Sequence, residues 1–363
     1  MGVMFKDDPA TDWRWQLQHA IRTARRLREL VRLTSQEEAG LRRLARQTRA
    51  LPLFITPHFM RRMNLADPQD PLRLQVIPRA AEWTRQLLER PDPLGEERLQ
   101  VVPHLVHRYP DRVLLLVTDR CASYCRFCTR KRWVGQGPTP RREDLTRALD
   151  YMRAHPEIKE VILSGGDALM VDDAPLARLL ERIRGISSVE IIRIGTRMPV
   201  FAPTRITTGL IEMLRRHQPV YVLTHINHPN ELSEQTQVAM TALVDHGIPV
   251  LNQTVLLRGI NDNAAVLAKL FRSLTRLRVR PYYLHQCDVM RGTAHYRVPL
   301  DAALQIVGQL RGHVSGLCMP TFVVDVPDGH GKVPLAPDPV VRRGEDHIVL
   351  RGFAGGEAAY PLA

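Results

Sequence analysis

From residue 113 onward the chain alternates short apolar or β-branched runs with stretches of helical periodicity, and this alternation limits the fold more than any other feature. The runs fall at 113–118, 161–164, 191–196, 220–225, 250–255 and 279–284, six in all. Between them the spacing predicts helices at 142–154, 174–184, 206–216, 231–246 and 264–274. Parallel strands with right-handed helical crossovers satisfy that order, either as a doubly wound sheet or as a barrel. The polar features decide between the two. Asp119 to Cys128, Gly165 to Asp167, Gly195 to Arg197, His225 to His228, Gln253 and Gln286 to Asp288 each follow or end one of these runs. A βα barrel gathers the loops after all its strands on one face, where active sites sit.

The flanks read differently. Apolar residues recur at three and four in Trp13, Leu17, Ile21 and again in Leu27, Leu30, Val31, so residues 1–100 are expected to form an N-terminal helical region. A proline-rich stretch at 91–110 leads into the barrel, assigned to 101–300. Residues 301–363 are expected as a short C-terminal segment. It holds a helix at 301–311, an apolar run at 321–326, a glycine-bearing loop at 327–332 and a candidate strand at 347–350.

Composition excludes some classes. With 44% hydrophobic and 25% charged residues the chain matches a soluble globular protein, which rules out wholesale disorder and fibrous repeats. No apolar run is long enough for a membrane, and MGVMFKDDPATDWRWQ lacks the apolar core of a secretory signal, so a cytoplasmic protein is expected. The formal charge of +13 would suit a polyanion or a small phosphorylated or carboxylated ligand. Its arginines cluster at 22–32 and 42–49 with helical spacing, which reads as solvated faces. Neither nucleic acid nor membrane is therefore expected as a partner.

Five cysteines and no secretory signal argue against a disulfide framework. Cys121, Cys125 and Cys128 form C-x3-C-x2-C just past the first barrel strand. Thiolates suit iron–sulfur clusters or zinc, and a cubane cluster ordinarily takes four cysteines. Unless Cys287 or Cys318 completes the set, one iron keeps an open position for chemistry. The alternative is a zinc site finished by a distant cysteine or histidine, although zinc motifs favour paired C-x2-C units. At the other end, Lys332 follows a strand and a loop holding Gly329 and Gly331. A lone lysine is usually a surface charge; one beside such a loop could form a Schiff base with pyridoxal phosphate, for which Arg108, Tyr109 and Arg112 of HRYPDR could supply phosphate donors.

The cysteine spacing in CASYCRFCTRKRWVG, with LSGGD ending the second strand, resembles the radical S-adenosylmethionine superfamily. The order HRYPDR, CxxxCxxCTR, SGGD, HINHPNE, QCDVMRGTAHYR, RGHVSGLCMPTFVVD and GK-x-P resembles the lysine 2,3-aminomutase family from about Trp13 to Phe353. That resemblance implies an α/β fold, a partial (β/α)6 TIM-like barrel of the radical S-adenosylmethionine type. It implies a [4Fe-4S] cluster on Cys121, Cys125 and Cys128, S-adenosylmethionine against Gly165, Gly166, Asp167, His225 and Gln253, and pyridoxal 5′-phosphate on Lys332 with Arg108, Tyr109 and Arg112. Arg130 would meet the substrate α-carboxylate, and Asp288 and Asp325 its side-chain ammonium.

Two anions in one pocket require a cation between them, so the expected reaction is interconversion of L-α-lysine and β-lysine. The alternatives are arginine, ornithine or a lysine of elongation factor P as substrate, or, from another class, a basic metal-bearing nucleic-acid-binding module. An electron donor such as flavodoxin or ferredoxin is implied, and a homo-oligomer is left open. No zinc site is expected, since Asn263 stands where the family carries a further zinc cysteine and no cysteine follows Cys318.

Overall fold

The structure, a computed structural model, describes residues 12–47 and 50–362; residues 1–11, read above for a secretory signal, lie outside the described residues. Ten strands share one sheet in chain order: β1 Gln100–Val102, β2 Leu105–Tyr109, β3 Arg112–Thr118, β4 Glu160–Gly165, β5 Ile191–Thr196, β6 Val220–Thr224, β7 Val250–Leu256, β8 Arg280–Gln286, β9 Thr321–Val326 and β10 Gly331–Pro334. From β3 to β9 all neighbours pair parallel, while β1, β2 and β10 add antiparallel edges.

The six expected strands are β3 to β8. A seventh parallel strand, β9, is the apolar run at 321–326; the helix Leu300–Leu310 supplies one more crossover and sets Tyr283 opposite Thr321. The parallel sheet thus runs past residue 300. The tail holds three antiparallel strands, Val340–Arg343, His347–Arg351 and Glu357–Pro361, where one was expected. Most of their residues are exposed and none is fully buried, so they give little apolar alternation to read.

Arg108 of β2 reaches Asp325 of β9 at 3.2 Å. In a flat sheet those strands would stand seven spacings of about 4.8 Å apart, over ~30 Å. The sheet therefore curls until its ends meet, although no ladder joins β1 to β10 among the described residues.

Strand alternation sorts the two faces of this curl. In β4, Val161 and Leu163 are buried beneath the helices while Ile162 and Ser164 remain partly accessible; β7 repeats the pattern with Leu251, Gln253 and Val255 accessible. The outer helices bury matching stripes, such as Leu176, Leu179, Leu180 and Ile183 in Asp173–Arg184. Asn263 caps the helix Ala264–Arg276, its side-chain oxygen accepting from the N–H groups of Ala265 and Val266.

Two features seat the cysteine loop. The first is a close approach of backbones: Gly166 N–H donates to the Thr118 carbonyl at 2.6 Å and Asp167 N–H to that of Arg120 at 2.8 Å. A Cβ at Gly165, which has φ +118°, would lie 2.4 Å from the Thr118 oxygen, and one at Gly166 only 2.2 Å from that of Arg120. The two glycines are thus required by chain-to-chain contact. The second is an ion pair between Arg126, inside the cysteine motif, and Glu82 of the N-terminal region, their side chains 2% and 4% exposed. Arg126 also donates to the Leu51 carbonyl at 2.9 Å.

Gly166→Ala is expected to lower the thermal midpoint clearly, whereas Gly316→Ala, whose new methyl meets nothing within 4 Å, leaves it in place. Glu82→Ala strands a buried guanidinium and is expected to cost about 3–5 kcal/mol in urea unfolding; a loss under about 1 kcal/mol would show that Arg126 finds water instead.

Candidate active site

Beyond the C-terminal ends of the strands, Cys121, Cys125 and Cys128 are free thiols packed among apolar side chains. Burial pushes the Cys128 thiol up to about 11, with the charge of Cys125 adding to it; Cys121 rises through burial and then the charges of Asp167, Cys128 and Cys125. Three soft donors thus crowd one another and would be relieved by a shared positive centre. Two protein donors already reach their sulfurs: Arg197 Nη1 at 2.6 Å from Cys125 Sγ and Arg130 N–H at 3.3 Å from Cys128 Sγ. Cys318 lies at the opposite, N-terminal end of β9, and the Cys287 thiol is turned to the Asp288 carbonyl at 3.9 Å.

Across the barrel mouth, Lys332 of β10 sits opposite Asp325 of β9 in the antiparallel register, with its Nζ 3.0 Å from the carboxylate. Arg108 donates to the same carboxylate, and His285 Nδ1 lies 3.6 Å from it. Burial works to raise Asp325, yet His285 and Lys332 hold it well below the usual carboxylate range. His285 itself is kept neutral chiefly by burial, and its Nε2 is buried without a hydrogen-bond partner. The side-chain oxygen of the adjacent Gln286 is likewise orphaned. The unsatisfied Nε2 of His285, beside Asp325, marks a place where a further polar group belongs.

Asp288 stands alone. Among the described residues its carboxylate makes no hydrogen bond or ion pair, and burial, then the charge of Asp325, pushes it up to about 7. Every other acid near it is matched. Glu96 accepts from Arg130 through Nε at 2.9 Å and Nη2 at 2.7 Å, and Arg132 lies 3.5 Å from it. Arg130 gives a third N–H to Ser164 Oγ at 3.0 Å.

Several expected site residues therefore converge. Lys332, Asp325 and Arg108 meet directly, and Asp288 lies within electrostatic reach of all three. Gln253 faces inward from β7, and its side chain makes no hydrogen bond among the described residues. His225 is half-buried beside Phe127 and paired with Asn227 at 3.1 Å.

The remaining expected residues already have partners within the protein. Asp167 is buried, and its oxygens accept from Thr196 Oγ1, Leu169 N–H and Arg197 N–H at 2.7, 3.0 and 2.6 Å. Tyr109 accepts the Lys332 backbone N–H at 2.9 Å, so it positions β10. Arg112 lies over the Tyr109 ring at 3.9 Å and donates to the exposed Asp111. Arg130 is already clamped by Glu96.

Sequence reasoning missed Glu96, Arg197 and His285 as members of the site. Strand alternation in β8 would have turned His285 inward; Arg197 was noted only as a polar residue after β5. Nothing in the proline-rich stretch singles out Glu96, whose partner lies 34 residues away.

With this geometry in place, known proteins can be set beside it. The family model described as lysine-2,3-aminomutase matches residues 307–362, and that of the radical SAM superfamily matches residues 115–271. L-lysine 2,3-aminomutase of Clostridium subterminale is 45% identical over 96% of this chain and 83% of its own length. The Bacillus subtilis protein of the same name is 44% identical over 99% of this chain and 76% of its own. Glutamate 2,3-aminomutase of Clostridioides difficile is 37% identical over 95% and 82%. Among solved structures, Streptococcus suis SuiB bound to S-adenosylmethionine matches 60% of this chain and 48% of that one, with a TM-score of 0.44 and 10% identity, too remote to carry weight. Near-full-length identity to several relatives, together with both family models, makes the chain a member of the lysine 2,3-aminomutase family within the radical S-adenosylmethionine superfamily.

Proposed function

We propose that the protein is an isomerase that interconverts L-α-lysine and β-lysine by moving the amino group between C2 and C3. Family membership supports the reaction class. The observation that carries the substrate is Asp288, a half-buried carboxylate with no hydrogen-bond or ion-pair partner among the described residues. The family includes an enzyme named for glutamate, so the name alone does not choose. An anionic side chain brought beside Asp288 would meet repulsion, whereas the terminal ammonium of lysine would neutralise it.

The residues fit the family's cofactors. Three crowded thiols with no disulfide suit a [4Fe-4S] cluster on Cys121, Cys125 and Cys128, leaving one iron for S-adenosylmethionine, with Gly165, Gly166, His225 and Gln253 forming the wall. Lys332, with the orphaned His285 Nε2 close by, suits pyridoxal 5′-phosphate, and Arg108 and Arg112 would serve its phosphate. When bound, these groups supply an organic radical and a conjugated ring that carries the migrating nitrogen.

The chain's own residues bind, orient and exclude. Arg130 has five N–H donors; Glu96 takes two and Ser164 one, which leaves one on each terminal nitrogen for a carboxylate. Glu96 thereby fixes the plane of that fork. A lysine held at its carboxylate by Arg130 and at its ammonium by Asp288 is pinned at both ends, so its C2–C3 bond takes one orientation. Asp325, held by Arg108 and Lys332, lies within electrostatic reach of Asp288 and would share with it in receiving the ammonium.

The same reading calls for a low-potential electron donor such as flavodoxin or ferredoxin, and it accords with a homo-oligomer in the cytoplasm. No described helix is long and apolar enough to cross a membrane.

Anaerobic protein reconstituted with iron, sulfide and pyridoxal phosphate, given S-adenosylmethionine, dithionite and L-lysine, is expected to form β-lysine. Conversion of L-glutamate, L-arginine, L-ornithine or unmodified elongation factor P in its place would overturn the substrate assignment. Because Asp288 must be ionised to hold an ammonium and titrates at about 7, the KM for lysine is expected to rise about tenfold per pH unit below that value. In Asp288→Asn the dependence flattens and KM at pH 8 rises by about two orders of magnitude; an unchanged pH profile would place the ammonium elsewhere.

A further inference from the structure

We propose that Arg197 sets the reduction potential of the iron–sulfur cluster through its hydrogen bond to Cys125, with Glu231 as the counter-charge that moderates it. The inference rests on the reading that Cys121, Cys125 and Cys128 hold the cluster. Arg197 Nη1 lies 2.6 Å from Cys125 Sγ. A thiolate bound to iron keeps lone pairs, so this donor can continue to serve the same sulfur. Hydrogen bonds to cluster sulfurs are among the protein's main controls on potential.

The guanidinium has no freedom to turn away. Its Nε donates to the His225 carbonyl at 2.9 Å, and its Nη2 to Gln75 Oε1 at 3.0 Å and Glu231 Oε2 at 2.7 Å. Its own backbone N–H is held by Asp167 at 2.6 Å, and the Phe201 ring lies 4.7 Å beneath it. Glu231 is fixed in turn by Gln75 and by the N–H groups of Asn227 and His228, at 3.0, 2.9 and 2.9 Å. Gln75 and Glu231 are buried, and the Arg197 side chain is 9% exposed. Water is thus kept from the pair, and its field reaches the sulfur with little screening.

The sign follows from charge. Reduction adds one electron to the cluster, and a fixed cation donating to a ligand sulfur stabilises the reduced form more than the oxidised one. Arg197 therefore raises the potential. Glu231, one residue further from the sulfur, lowers it and keeps the shift within bounds.

The test is a potentiometric titration of the reconstituted protein with dithionite as reductant, without S-adenosylmethionine or lysine, following the cluster by its visible bleaching and by electron paramagnetic resonance. Iron and sulfide per chain are measured first. Arg197→Gln is expected to lower the reduced-to-oxidised ratio at a fixed ambient potential about tenfold, a shift of ~59 mV to the negative for one electron. Glu231→Gln is expected to move it the other way, and Arg197→Lys, which keeps the charge, by less than Arg197→Gln.

Full iron content with an unchanged potential in Arg197→Gln overturns the proposal. So does a shift of Arg197→Gln and Glu231→Gln in the same direction, which would mean only that water had entered. If Arg197→Gln loses its iron, the upward shift of Glu231→Gln supports the proposal and its absence overturns it. A wild-type protein that binds no cluster on the three cysteines sinks the parent reading instead.

Discussion

Asp325 is the point at which the two ends of the sheet are held against each other. It lies on β9, receives Arg108 from β2 and Lys332 from β10, and lies 3.6 Å from His285 of β8. A sheet that twists and curls without closing leaves its edges free to drift, and a buried, multiply donated carboxylate is one way to join them. Lys332 and the strand that completes the curl are thus held by a single group.

Around this junction the protein pairs its buried charges with care. Glu37 meets Arg73, Glu82 meets Arg126, Glu96 meets Arg130 and Glu231 meets Arg197, all with the acid 4% exposed or less. Three of these pairs surround the cysteine loop: one inside the motif, one two residues beyond it and one on the Cys125 sulfur. Ionised groups this deep survive only with partners in place. Against that background the isolation of Asp288 is informative, since a chain that neutralises each neighbouring acid has left one for a cation from outside.

Much of the fold was legible in the order of residues. The βα alternation located six parallel strands, because strand periodicity and helical periodicity are local properties of the chain. The seventh strand is visible as the apolar run at 321–326, but nothing local says which sheet edge a run will join. The glycines of LSGGD were legible as a place of close approach; that the approaching group is the backbone of Thr118 and Arg120 was not. Asp167 shows the same limit, because its three donors come from the loop after β4 and from the end of β5 and the residue that follows it.

By itself the sequence determined the cysteine triplet after the first parallel strand, the lysine beyond a glycine turn and the family to which their order belongs, because each is carried by short spacings that survive in any conformation. The tertiary structure alone decided which charges are spent and which are left. Glu96 claims Arg130 across 34 residues, Glu82 claims Arg126 across 44 and Arg108 reaches Asp325 across 217. Electrostatic pairing depends on distance in space and on the exclusion of water, and neither is written in the order of residues along the chain.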